Sequence, residues 1–99
     1  MNHEVIRDAI ISKRSVTAHD NGHVRRFSPH TLGSEADGEE VVIGYQYAGD
    51  RPGGLPRGGD WCCLLLAEID DVQPNDDGWQ TGAGPAPRDH LAKIEIWIQ

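Results

Sequence analysis

The chain has 99 residues, with nine Lys or Arg, sixteen Asp or Glu and a formal net charge of −7. This length predicts a single domain over residues 1–99 with one modest core. The negative charge disfavours a broad nucleic-acid footprint, so we do not expect tight binding to generic duplex DNA. Mean hydropathy is −0.53, but the apolar residues are clustered into short runs, which argues against global disorder.

The sequence contains no apolar run of membrane-spanning length and no signal-peptide pattern, which predicts a cytoplasmic protein with no membrane partner. The only two cysteines are the neighbours Cys62 and Cys63. Neighbouring residues of a strand point to opposite faces, which disfavours a disulfide between them. Two thiols in an apolar run predict buried core residues of a reduced protein.

Residues 3–13 predict an amphipathic helix, because four apolar side chains share one face, namely Val5, Ile6, Ala9 and Ile10. Strands are predicted at 15–19 and 23–27, joined through the hairpin signal of residues 20–22, Asp-Asn-Gly. Pro29 is expected to end the second strand, since proline has no N–H to donate to a ladder.

A solvated turn at 33–38 precedes a third strand at 40–48, where Gly44 predicts a bend or a bulge. A Gly- and Pro-rich loop at 49–60 leads to 61–67, the most apolar strand, which we expect to be central and buried on both faces.

Residues 68–72 predict a single helical turn, and 73–90 form a loop long enough to be either mobile or functional. The last strand, 92–98, alternates, and three isoleucines should point inward: Ile94, Ile96 and Ile98. One helix and five strands predict a mainly β, α+β fold. An antiparallel sheet of this size buries its face by curling into a barrel, with the helix at one open end.

Four short motifs resemble the WYL domain: Ala9-Ile10 with Arg14, the RxFxPH pattern of 25–30, the strand VVIGYQ of 41–46, and the turn Glu68-Ile69-Asp70. The resemblance covers roughly the first 72 residues. It implies an Sm-like, or Src-homology-3-like, barrel behind an N-terminal helix. The family occurs mostly in bacterial regulators and defence proteins that sense ligands, often nucleotides or nucleic acid.

The chain departs from the family at two places. The name-giving Trp-Tyr-Leu is replaced by the Val-Val-Ile of 41–43, and the arginines that the family carries in its fourth strand are missing from 61–69. Those arginines would hold an anionic ligand, so their loss disfavours a nucleotide in particular. The resemblance therefore implies a divergent, stand-alone regulatory barrel.

Five residues are predicted to bind a small anionic or planar ligand: Arg25, His30, Tyr45, Gln46 and Trp61. An arginine beside a histidine can grip a carboxylate or phosphate, and aromatic rings can stack a planar group. The alternatives are structural, because a rim arginine can pair with an acid and strand aromatics commonly pack across strands. A buried glutamine amide would need a partner.

The sequence predicts no catalytic site, no metal site and no cofactor. His19, His23 and His30 lack the further ligands that would complete a recognisable zinc site. No nucleophile elbow or phosphate-binding glycine loop is present. The favoured function is a regulatory or ligand-sensing barrel. The alternative is a non-enzymatic protein-interaction module that forms a homodimer, because an exposed sheet edge needs a cover.

Overall fold

A computed structural model describes residues 2–88 and 90–98. It contains one α-helix, six β-strands and one 3₁₀ turn. In chain order these are α1 (Asn2–Ser12), β1 (Val16–Asp20), β2 (His23–Ser34), β3 (Glu40–Gly49), β4 (Asp60–Leu65), the 3₁₀ turn (Leu66–Glu68), β5 (Ile69–Pro74) and β6 (Lys93–Trp97).

The strands form one sheet, in which β4, β3, β2, β1 and β5 are neighbours in that order and β6 pairs with β2. Every strand pair among the described residues is antiparallel. The predicted mainly β fold, with one N-terminal helix on an antiparallel sheet, is confirmed, although the sheet has six strands and not five. No described helix is long and apolar enough to cross a bilayer.

The first two elements follow their sequence signals closely. The helix α1 buries Ile6, Ala9 and Ile10, which fall on the predicted face. Asn21 and Gly22 both have positive φ, 50° and 84°, as a two-residue hairpin turn requires. The hairpin brings Asp20 opposite His23 and sets the register of β2.

The prediction that Pro29 ends the second strand is wrong, because β2 continues to Ser34. Pairing with β1 ends at Phe27 and pairing with β6 begins at Thr31. Pro29 therefore lies where no neighbour on that side needs its missing N–H. On the other side the register shifts between Pro29 and Thr31, which leaves His30 as the extra residue of a bulge.

Gly44 of β3 lies opposite this bulge, paired with Pro29. A Cβ at position 44 would stand 2.7 Å from a ring carbon of Phe27 and 2.8 Å from the carbonyl oxygen of Ser28. The predicted irregularity at Gly44 is thus real, but the bulge itself lies on β2. Glycine is needed there because the two backbones approach closely.

Three predictions about the second half of the chain are wrong. Residues 61–67 do not form a central strand, because β4 lies at one end of the strand order and its Cys63 is exposed. Residues 69–74 form β5 and not a helical turn. Asp71 has a φ of 53°, and this left-handed residue breaks the alternation that would have revealed the strand.

The third error concerns Ile94, which was expected to point inward and is 41% exposed. The register of β6 against β2 shifts opposite Leu32 and Gly33, which breaks the alternation along β6. Ile96 and Ile98 do pack against the core.

Candidate functional site

The bulge in β2 brings two adjacent residues, His30 and Thr31, to the same cleft. The cleft has a volume of about 270 Å³ and is also lined by Trp61, Trp97 and Arg88. Neighbours on a regular strand point to opposite faces, and a bulge re-aims one of them. The Pro29-His30 irregularity is therefore what builds the floor of the cleft.

Aromatic rings surround the imidazole of His30. Trp61 stands edge-on, with the two ring centroids 4.9 Å apart, and Trp79 lies tilted at 4.5 Å. Tyr45 packs edge-on against Trp61 at 5.4 Å. This aromatic cluster of Tyr45, Trp61, His30 and Trp79 excludes water from the imidazole, whose residue is 1% exposed.

The protonation state of His30 follows from its surroundings. Nδ1 lies 2.7 Å from the carbonyl oxygen of Ser28, which can only accept, so Nδ1 carries a proton and donates. Burial lowers the pKa of His30 below its usual value of 6.5, against a smaller raising effect of the Ser28 bond. The imidazole is therefore neutral near pH 7, and its Nε2 is a bare acceptor.

Two buried polar atoms of the cleft residues have no hydrogen-bond partner among the residues described. They are Nε2 of His30 and Oγ1 of Thr31, and both residues are 1% exposed. Buried polar atoms are nearly always paired, and leaving one unpaired costs about 1–3 kcal/mol. Two such atoms in neighbouring residues of one cleft make this cleft the candidate binding site.

The outer wall of the cleft comes from the segment between β5 and β6. In its first half, the backbone N–H of Gln80 donates to Ser28 Oγ at 2.9 Å and holds the segment to the sheet. At its end, the backbone N–H of Ala92 donates to the Ser34 carbonyl, also at 2.9 Å. Between these anchors, the Arg88 guanidinium stacks 4.2 Å from the centroid of the Trp97 ring. The long loop is thus part of the site.

Within residues 2–88 and 90–98, no carboxylate forms an ion pair with Arg88. In a chain with sixteen acids, five other arginines do have one: Arg7, Arg14, Arg25, Arg26 and Arg51. Stacking on Trp97 keeps the guanidinium at the cleft and leaves its N–H groups available to an anion.

The predicted residues Arg25 and Gln46 do not line this cleft. Arg25 is 7% exposed and pairs with Asp20, its Nη2 lying 2.9 Å from Oδ2. Its Nη1 donates to Oε1 of Gln46 at 3.0 Å, and the Gln46 amide donates to the carbonyls of Ala48 and Asp50. The expected partner of the buried amide is present, and it is Arg25 itself.

The other three predicted residues, His30, Trp61 and Tyr45, do come together. His30 and Trp61 line the cleft. Tyr45 packs edge-on against Trp61, and its hydroxyl donates to the carbonyl of Gly58. Sequence reasoning missed the remaining contributors: Thr31, Trp79, Arg88 and Trp97. Thr31 could have been noticed because it follows the Pro29-His30 pair in the sequence. Trp79, Arg88 and Trp97 reach the site only through the fold of the loop between β5 and β6 and its pairing strand.

Comparisons with known proteins give no match. No family model, no curated protein and no solved structure is similar to this chain.

Two other clusters of reactive side chains lie on the surface. His3, Glu40 and Glu95 place one ligand atom each within 4.8 Å of one another, and all three are partly exposed. Nδ1 of His19 lies 3.6 Å from Oδ2 of Asp71, and Nδ1 of His23 lies 2.9 Å from Oδ2 of Asp50. Neither cluster contains a buried unpaired polar atom, so the cleft is the stronger candidate.

The cysteines differ from the prediction of two buried thiols, because only Cys62 is buried. Burial raises the pKa of Cys62 to about 12 and also raises that of Cys63, whose Sγ lies 3.3 Å from Nε2 of His90. We expect iodoacetamide to modify Cys63 alone in the native protein, more slowly than a free thiol, and both after unfolding. Mass spectrometry of Cys63→Ser should show no native modification, and rapid labelling of Cys62 would contradict this assignment.

Proposed function

We propose that this protein is a small ligand-binding module whose cleft takes a small planar anion. The observation that carries the proposal is the indole-walled cleft together with two of its lining residues, His30 and Thr31, whose buried Nε2 and Oγ1 have no partner among the described residues. Small-molecule sites combine mostly apolar walls with a few polar groups that fix orientation. The Arg88 guanidinium at the rim supplies the charge.

The size and the walls favour one class of occupant. An engineered cavity of about 150 Å³ holds benzene, so a cleft of about 270 Å³ suits one ring or a fused pair with a substituent. The rings of Trp61 and Trp97 favour a flat ligand. The strand order, together with the 3₁₀ turn between β4 and β5, supports an Sm-like barrel as the scaffold of this sensing module.

A thermal-shift and tryptophan-fluorescence screen tests the proposal with benzoate, indole-2-carboxylate, quinoline-2-carboxylate and nucleoside monophosphates. At least one planar anion should raise the melting temperature and change the fluorescence. Losing a charged hydrogen-bond partner costs about 1.5–3 kcal/mol. Arg88→Gln should therefore weaken binding at least about tenfold.

The matched control is Arg57→Gln, because Arg57 is an exposed arginine that does not line the cleft. This variant should bind as the wild type does. If no member of the panel binds at millimolar concentration, or if both arginine variants lose affinity equally, the proposal is wrong.

The interaction-module alternative is favoured by one observation, the exposure of Ile94 and Trp97 on β6, 41% and 47%. Exposed apolar side chains on one strand are typical of a surface that meets a partner. Sedimentation equilibrium separates the two functions. A dimer that Ile94→Lys dissociates, in a protein that binds none of the panel, supports the alternative.

A further inference from the structure

We infer that the ligand is a planar heterocycle that presents a ring N–H beside a carbonyl oxygen, as lactams and imides do, and that its anionic substituent lies against Arg88. This inference rests on the proposed function and deepens it, because it states which edge of the ligand the cleft recognises.

The first step is the fixed tautomer of His30. Because Nδ1 donates to the Ser28 carbonyl at 2.7 Å, the neutral ring presents only an acceptor at Nε2. A carboxylate oxygen carries no proton near pH 7, so it cannot satisfy that atom. The group that meets Nε2 must be a donor, and a ring N–H is a donor that lies in the plane of a flat ligand.

The second step is the neighbouring hydroxyl. Thr31 Oγ1 is buried and unpartnered like Nε2 of His30, and the two residues are adjacent in the chain and line one cleft. A threonine hydroxyl both donates and accepts, and it rotates to suit its partner. An acceptor and a donor on adjacent residues complement a ligand edge in which an N–H stands next to a C=O.

The third step places the charge. The anion is excluded from the His30 side of the cleft by the acceptor there, and Arg88 is the cation among the cleft-lining residues. The guanidinium is a planar fork that suits a carboxylate, and it is oriented by its stacking on Trp97. The ligand therefore has a neutral hydrogen-bonding edge and a separate anionic group.

Isothermal titration of the whole chain at pH 7.5 tests the inference with four probes. Uracil-6-carboxylate has the imide edge and the carboxylate. Its 1,3-dimethyl derivative lacks every N–H, uracil lacks the carboxylate, and benzoate is a planar anion without a donor. We expect uracil-6-carboxylate to bind at least about tenfold more tightly than each of the other three, since a buried group left unpaired costs a factor of this order.

Two variants assign the contacts. His30→Asn retains a donor toward Ser28 but removes the Nε2 acceptor, so it should bind uracil-6-carboxylate and its dimethyl derivative equally. Arg88→Gln should bind uracil-6-carboxylate and uracil equally. If His30→Asn does not fold, Thr31→Val, which replaces the hydroxyl with a methyl group of similar size, should reduce the preference for the imide in its place.

The outcomes separate the inference from the proposed function. If the dimethyl derivative or benzoate binds as tightly as uracil-6-carboxylate, the cleft binds planar anions but the donor edge is wrong. If the carboxylates of the earlier screen bind and none of the uracil probes does, the inference likewise fails alone. If neither set binds, both fail.

Discussion

Asp20→Ala should destabilise the protein by about 3–5 kcal/mol, because it leaves the charge of Arg25 buried without a counter-ion. The two side chains are only 11% and 8% exposed, and they meet at 2.9 Å across the β1–β2 hairpin. Globular domains are stable by about 5–15 kcal/mol in total, so the variant should be close to unfolding at 37 °C. Urea denaturation followed by circular dichroism measures the loss.

The matched control is Asp76→Ala. Asp76 is fully exposed and pairs with Arg14 on the surface at 3.3 Å, and exposed pairs contribute little. The free energy of unfolding of Asp76→Ala should therefore equal that of the wild type within experimental error. The double variant Asp20→Leu with Arg25→Met should recover part of the stability, since apolar pairs commonly replace buried ion pairs without cost, whereas the buried Oε1 of Gln46 loses its donor Arg25. Equal losses in Asp20→Ala and Asp76→Ala would contradict a structural role for the buried pair.

This network also explains why the sequence could not choose between the two roles of Arg25. A strand arginine next to histidines suits an anion site, and it equally suits a buried pair with one of sixteen acids. The structural role of Arg25 depends on Asp20, because the Asn21-Gly22 turn pairs the strand of Asp20 with the strand of Arg25. The local turn was predictable, but the approach of the two side chains was not.

The fold was predictable wherever the signal was local. Helical spacing located α1, and the Asn-Gly turn located the first hairpin. The errors fall at irregular backbone, where period-two alternation fails. The bulge at His30 lets β2 continue past Pro29. The left-handed Asp71 disguises β5, and the register shift in β6 leaves Ile94 exposed.

The candidate site was half predictable for the same reason. His30 and Trp61 carry the chemistry that draws attention in a sequence, and they do meet. Arg88 and Trp97 are brought to them by the pairing of β6 with β2, in which Thr31 lies opposite Trp97, far apart in the chain. Only the folded loop between β5 and β6 shows that the cation at the cleft is Arg88 and not Arg25.

The second large effect concerns His30, through the dependence of stability on pH. Burial lowers its pKa in the native state, so the unfolded chain binds more protons than the native chain at pH values below about 6.5. The contribution of a neutral His30 is therefore fully present above pH 6.5. It is lost progressively as the pH falls from there toward the native pKa, where the loss levels off.

His30→Phe removes this titration and keeps a ring between the two indoles. At pH 7.5 the variant should be less stable than the wild type by about 1 kcal/mol, because the Ser28 carbonyl loses its donor while the removal of the unpaired Nε2 offsets part of that cost. The difference should shrink as the pH falls below 6.5, since only the wild type must then bury a group that prefers to be charged. Urea midpoints at half-unit intervals from pH 8 to pH 5 measure it, and the exposed histidines cancel because both proteins contain them. A difference that stays constant, or grows in acid, would show that His30 is not held neutral by the aromatic cluster.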